Sequence, residues 1–567
     1  MDIRAVAVSL SVLLVGACAT IEEKPNHPAT AADYSTVRHR YWDGSVSTGV
    51  SCQAGKPVLT PEYERPTLMA LGDSIYNGVQ SGRINWRLAE WSPPVYVAAR
   101  LDTIEVDGVA DRTGKRSFYT PQYPILATKG RNAEFGANLE AVPGLLGLFQ
   151  LDGALARDLK YLTDVYRPPN GRPLVENLAF SGANSVDLVA MTPRLLRSAA
   201  TKAIKRGKGR DAFTYLNAAF VLNPMRLDCL DDMTPLDQVA LRKPRFVIIN
   251  IGANNGIWRA GFNGSRFDDP ACNAVEAVPA QKGRSRCSGT IRQFLDGDLR
   301  ADIRTIMAEL SKVDGIEGVY INGLIRPSRV ANLVPTSDQS LVEDPAYAAT
   351  YRLDLFGSKR VIPGTQVWQT DIDVDGVNRR LKADVDAANG PGRPKFVFVD
   401  IDAAMAPIDY KRCLGSTGTP RAGCNDGGKP FPLGKDLGLT CSVSVNNLPA
   451  RINGNQLGSR RDDFCKAIES GGLFSIDNMH PSSIGYSLIA QAVRESMLAN
   501  GQFPIEIIDR GHGCDPKLPQ SCTLLLVEPG YSTTDSNLRR YELLSTVGED
   551  NRRHLNRMRK IVDFFQD

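Results

Sequence analysis

The sequence predicts an α/β domain built on a mostly parallel sheet. Three observations carry that expectation: four short apolar runs, helical patterns between them, and a chain long enough to bury a large core. The 567 residues are 42% hydrophobic and 23% charged, the composition of a globular protein. The runs are "PTLMAL" (66–71), "RFVIINIG" (245–252), "GVYINGLI" (318–325) and "KFVFVDI" (395–401), each flanked by glycine, proline or charge. Short apolar runs rich in β-branched or aromatic residues mark strands covered on both faces. The clearest helix, "PSSIGYSLIAQAVRESMLAN" (481–500), places Ile484, Leu488, Ile489, Ala492, Val493 and Met497 on one face, with Pro481 near its start and Gly501 just after it. Strands alternating with helices give a sheet joined by crossovers.

In chain order, the first element is the segment "MDIRAVAVSLSVLLVGAC", whose apolar run covers residues 5–17. As a helix it spans about 20 Å, short of the roughly 30 Å hydrocarbon core of a membrane, so it reads as an export signal rather than a spanning anchor. "LLVGAC" resembles a bacterial lipobox. That resemblance implies a signal peptide over 1–17, a diacylglycerol on Cys18, and a membrane partner reached through that lipid. Ala19 after the lipidated cysteine implies the outer membrane; ordinary cleavage after Ala19 is the alternative and leaves a secreted or periplasmic protein. Residues 18–64 read as a tether and lead-in segment. Residues 65–504 carry the sheet domain, with insertions expected at about 83–175 and 260–470. In the first, Trp86, Trp91, Leu145, Leu146, Leu148 and Phe149 read as an acyl pocket or lid, or as ordinary core. Residues 505–567 form a C-terminal extension ending in a helical stretch.

Setting Cys18 aside leaves ten cysteines, an even number that reads as disulfides in an exported chain. Local closure suggests Cys272–Cys287, Cys413–Cys424, Cys441–Cys465 and Cys514–Cys522, which leaves Cys52–Cys229 by elimination; other connectivities stay open. There is no C-x-x-C pair and the chain has five histidines, so no zinc cluster, other metal or cofactor is expected. A net charge of +4 from 67 basic and 63 acidic residues gives no case for nucleic acid. The run "KAIKRGKGR" (202–210) reads as a solvated basic surface, or as a weak contact with anionic lipid headgroups.

The chemistry is carried by four loops, three directly after apolar runs and the last just before the long amphipathic helix: "GDS" (72–74), "SGAN" (181–184), "GANN" (252–255) and "DNMH" (477–480). Each alone is a turn or a helix cap. Together they hold the residue types that acyl transfer needs. Ser74 is a candidate nucleophile and His480 a candidate base, with an ordinary pKa near 6.5 that suits proton transfer at neutral pH. Asp477, three residues before the histidine, is placed to fix its tautomer. Gly182 and Asn254 are candidate donors to an oxyanion. His27 and His39 lie in the lead-in, His512 and His554 in the tail, so His480 is the one histidine of the sheet domain.

These blocks, in this order, resemble the SGNH (GDSL) hydrolase family, and "ENLAFSGANS" (176–185) is most similar to its lipase and phospholipase branch. The resemblance implies a flavodoxin-like three-layer α/β/α sandwich. It also implies a Ser74–His480–Asp477 triad and an oxyanion hole made by the Ser74 amide, Gly182 and Asn254. The expected activity is hydrolysis of carboxylic esters, with lipid or lysophospholipid acyl esters as substrates and an acyl-enzyme intermediate. Removal or transfer of acetyl groups on a polysaccharide is the alternative within the family; an envelope lipoprotein that only binds is the alternative outside catalysis. The chain departs from the family at Asn255, where an aspartate is usual, and in the long spacings between blocks.

Other motifs fail. There is no G-x-S-x-G elbow and no H-E-x-x-H. "GVADRTGKR" (108–116) has five residues between its glycines and Arg116 after Lys115, so it is not a phosphate loop. "DIDVDG" (371–376) starts like a calcium loop but carries Lys382 at the twelfth position. The competing expectation there is Asp375 capping a helix that carries Val377, Leu381 and Val385 and ends at Asn389–Gly390.

Overall fold

The structure, a computed structural model, describes residues 49–61, 63–80, 84, 89, 92–101, 118–121, 174–205, 209–257, 261–262, 291–355, 358–424, 427–433, 443–449, 451–452, 468–475 and 477–502. The expected signal peptide, Cys18, most of the tether, the aromatic positions of the first insertion, the 108–116 loop and the C-terminal extension lie outside these residues. So do the cysteines at 272, 287, 441, 465, 514 and 522.

Four parallel strands form the centre: β1 (Leu68–Gly72), β2 (Phe246–Asn250), β3 (Gly318–Asn322) and β4 (Lys395–Val399), adjacent in that order. They fall on the four apolar runs. A further extended segment pairs with the free edge of β1: Ala70 N donates to Glu176 O at 3.0 Å, Leu178 N to Ala70 O at 2.9 Å and Phe180 N to Gly72 O at 3.1 Å. Counting that edge in chain order, the spatial order is 2-1-3-4-5. Alternate residues along the strands split between two cores, as a period of two requires. Met69, Leu71, Val247, Ile249, Val319 and Ile321 face one way; Leu68, Ala70, Phe246, Ile248 and Tyr320 face the other.

Helices cover both faces. Besides the short α1 (Ser74–Asn77), they are α2 (Pro93–Leu101), α3 (Pro193–Lys205), α4 (Gly209–Leu222), α5 (Pro235–Arg242), α6 (Arg300–Leu310), α7 (Gly364–Ala388) and α8 (Ser483–Ala499). Residues of α3 to α7 share the core of one face, and residues of α2 and α8 that of the other. Each fully buried Leu, Ile, Val or Met contributes about 1.5–3 kcal/mol. In α8, Leu488, Ile489, Ala492, Val493 and Met497 are buried as the sequence pattern requires. Its N-cap is Ser482, whose Oγ accepts from Gly485 N at 3.3 Å. Among the described residues no helix is long and apolar enough to cross a membrane.

Three expectations need correction. The stretch 260–470 is not one insertion, because it supplies β3, β4, α6 and α7 to the central layers. What is added to the sheet includes a three-stranded antiparallel unit, Leu333–Pro335, Thr350–Leu355 and Ser358–Pro363, with its own small core. The helix expected to start at Asp375 starts at Gly364 and runs through it to Ala388. Asp375 pairs sideways instead, accepting from Arg326 Nε at 2.7 Å and Nη2 at 2.6 Å. That continuous helix also removes the calcium-loop reading of 371–376, since a loop must wrap its carboxylates around the ion.

Two of the expected disulfides are present. Cys52–Cys229 ties the hairpin of Val50–Gln53 and Lys56–Leu59 to the turn Asp228–Leu230, and Cys413–Cys424 closes a loop beside the antiparallel unit. Both have Cα atoms 5.5 Å apart.

Candidate active site

The chain leaves β1 at Gly72 and turns at once into α1, so Ser74 sits at the carboxyl end of the sheet. Glycine is required at 72 by close approach: a Cβ there would lie 2.3 Å from the carbonyl oxygen of Asn250. Asp73 caps the turn by accepting from Ile75 N at 3.1 Å.

The partner loop runs from Ser475 to Ser482, just before α8. Asp477 Oδ1 accepts from Met479 N at 3.0 Å and His480 N at 2.9 Å, which folds the chain back on itself. Asn478 takes up the left-handed conformation this demands, with φ of 58°, a region asparagine tolerates better than most residues. Ser475 fastens the loop, donating its amide to His480 O at 2.8 Å and its hydroxyl to Asp477 Oδ1 at 3.0 Å. Asp477 Oδ2 then lies 2.7 Å from His480 Nδ1, and His480 Nε2 lies 3.0 Å from Ser74 Oγ, across 406 residues of sequence. With Nδ1–H donating to the carboxylate, Nε2 keeps its lone pair toward the serine hydroxyl. Burial works against ionisation of Asp477. His480 and the two backbone N–H groups outweigh it and hold the carboxyl below the usual range.

Ser74, His480 and Asn254 all line one cleft with about 770 Å³ of empty space, its open mouth included. Its other walls are mostly apolar: Ile251, Ile257, Leu324, Ile325, Phe474 and Met479. Gly182 does not line the cleft. It sits beside it with φ of 75°, next to Ala183, whose carbonyl accepts from Asn254 Nδ2 at 3.1 Å. Blocks two and three are thus stitched together. The departure at Asn255 has a physical account: its Oδ1 accepts from Ser185 N at 3.1 Å and its Nδ2 donates to Ser185 Oγ at 2.7 Å. Ser185 Oγ in turn donates to buried Asp302 at 2.7 Å, so a carboxylate from α6 terminates the chain of bonds.

A second chain of bonds, which no single sequence block contains, underlies Ser74. Asn250 Nδ2 donates to Asp73 Oδ1, Asn322 Nδ2 donates to Asn250 Oδ1 and to Tyr76 Oη, each at 3.0 Å, and all four residues are buried. The signal was present: β2 and β3 are apolar runs that both end in asparagine, "FVIIN" and "GVYIN". Asp73 is fully buried and its Oδ2 has no hydrogen-bond partner among the described residues. Burial pushes its carboxyl up to about 6, although Ile75 N, Asn250 and the His480 ring favour the charged form.

A hydroxyl, an imidazole and a carboxylate in this sequence of contacts form the arrangement that activates a serine for attack on a carbonyl. Compared with family models, with curated proteins and with solved structures, the chain matches none.

Proposed function

We propose that the protein is a serine ester hydrolase of the SGNH (GDSL) type, with a flavodoxin-like three-layer fold. The 2-1-3-4-5 strand order supports the fold. In such sheets a ligand site lies where the order reverses, and that point falls between β1 and β2, whose loops carry Ser74 and Asn254. The observation that carries the function is the pair of contacts from Ser74 Oγ to His480 Nε2 at 3.0 Å and from His480 Nδ1 to Asp477 Oδ2 at 2.7 Å.

Ser74 Oγ attacks the ester carbonyl while His480 Nε2 takes its proton. The amide of Ser74 and Asn254, which line the cleft, meet the oxyanion, each worth on the order of 10²–10³ in rate; Gly182, in the loop that Asn254 holds beside the cleft, is the third donor of this reading. Collapse expels the alcohol, which takes the proton from His480, and leaves the acyl group on Ser74. Water, deprotonated by His480, then releases the acid and regenerates the serine. Apolar walls around the nucleophile favour an acyl chain, hence lipid or lysophospholipid esters as the substrate class. Export with an outer-membrane lipid anchor at Cys18 belongs to the same proposal, and the two disulfides support an oxidising compartment.

Hydrolysis of p-nitrophenyl acetate, butyrate and palmitate by the wild type and Ser74→Ala tests this. Loss of Ser74 should lower kcat by roughly 10⁶, as removal of the nucleophile does in serine proteases. Equal rates for the two proteins would overturn the hydrolase and favour a binding role. A rate confined to acetate would replace the acyl-chain substrate with the deacetylase. Labelling with palmitate, lost in Cys18→Ala, tests the anchor.

A further inference from the structure

A second, smaller cavity lies on the other side of the segment 325–330. Ile325, Pro327 and Val330 line the catalytic cleft, whereas Arg326 and Ser328 line this cavity, together with Tyr347, Tyr351, Lys411 and Arg412. Its empty space is about 290 Å³, open mouth included, and most of its lining residues are polar.

Among the described residues, several N–H and O–H groups of its lining have hydrogens not given to an acceptor. Lys411 is 1% exposed, and its ammonium has three N–H groups, two of them spent on the carbonyls of Val330 and Leu333. Arg326 uses Nε and Nη2 on Asp375, with Asp402 Oδ2 also 3.4 Å from Nε, and keeps Nη1 in reserve. The Tyr351 hydroxyl accepts from Ala348 N at 3.1 Å, which leaves its own hydrogen to give. The half-buried Arg412 guanidinium has no hydrogen bond or ion pair among the described residues. Asp409 is the one carboxylate lining the cavity, and both its oxygens are engaged, by Asn447 Nδ2 at 2.6 Å and Arg329 Nη1 at 3.3 Å. Burial pushes Lys411 down to about 7 against the pull of Asp409 and Asp371. A ligand made only of acceptor oxygens satisfies several of these donors at once.

We propose that this cavity is a phosphate-binding subsite. The phosphate comes either from the headgroup of a lysophospholipid whose ester reaches Ser74 or from free phosphate in solution. The headgroup source rests on the ester-hydrolase reading; the binding itself does not.

The test begins with inorganic phosphate titrated into full-length Ser74→Ala by calorimetry, with thermal melting in parallel. Saturable binding to one site and a rise in melting temperature are expected. Adding Arg412→Gln should weaken that binding about tenfold or more, with Arg412→Lys recovering part of it. Melting without phosphate shows whether each variant is folded, and Arg412→Lys carries the test if the glutamine variant is not. No saturable binding to tens of millimolar, or binding unchanged by both Arg412 variants, overturns the proposal. In the active protein, phosphate that raises KM for a lysophosphatidylcholine but not for a monoacylglycerol of equal chain length assigns the headgroup; any other pattern assigns free phosphate. Should neither ester be hydrolysed while phosphate still binds, the hydrolase reading fails and the subsite stands.

Discussion

Asp477 and Asp73 are both buried carboxylates at one site, yet their surroundings drive them in opposite directions. Asp477 receives N–H groups and an imidazole on its two oxygens, whereas Asp73 has donors on one oxygen and none on the other. The consequences for stability have opposite signs. Asp477, held low, contributes stability above the ordinary carboxylate pKa that is lost as pH falls through its folded value. Asp73, raised to about 6, binds its proton more tightly when folded, so its contribution falls as pH rises from about 4 to about 6. Asp371 is raised to about 6 by the same cause, burial, and adds to that slope. Urea midpoints at pH 4, 5, 6 and 7 should therefore show a component of the slope that Asp73→Asn removes and Asp371→Asn reduces separately. On activity, Asp477→Asn should lower kcat by roughly 10⁴ with KM little changed, because the ring then loses its fixed tautomer; the magnitude is that of the serine-protease template. Steady-state kinetics on p-nitrophenyl butyrate check it. The side chains of the proposed triad, which the fold brings into contact, were legible because acyl-transfer chemistry constrains residue type; the Asp73–Asn250–Asn322–Tyr76 chain was not, because no single block contains it.

At the scale of elements, legibility followed locality. The four central strands could be read because each is an uninterrupted apolar run. The edge segment 176–180 could not, since it is held by bonds to β1 a hundred residues away. The start of α7 was misplaced because Asp375 has the look of a cap, while its real partner, Arg326, lies 49 residues back. That edge segment depends on α5. Arg242, at the end of α5, is fully buried, donates to Val175 O at 2.5 Å and to Tyr63 Oη at 2.6 Å, and pairs with buried Glu176. Arg242→Ala leaves that carboxylate uncompensated and should cost about 3–5 kcal/mol, read from urea denaturation. Gly72→Ala forces a methyl group against Asn250 O and should cost about 1–3 kcal/mol. It should also reduce kcat, since β1 delivers the nucleophile.

Across the whole molecule, the Cys52–Cys229 bond joins residues 177 apart. The chain-entropy argument assigns a closure of that length on the order of 4–5 kcal/mol. A Cys52→Ser, Cys229→Ser protein should therefore melt several degrees lower than the parent under oxidising conditions, with the catalytic contacts intact and kcat nearly unchanged. Calorimetric melting and p-nitrophenyl butyrate kinetics read the two effects separately. The same geometry bears on biosynthesis. The serine hydroxyl emerges early and the imidazole that contacts it 406 residues later, so a chain still being made carries that hydroxyl without its partner. On the proposed mechanism, potency switches on only when the loop carrying His480 docks, and a polypeptide halted anywhere short of that loop is harmless to the esters around it.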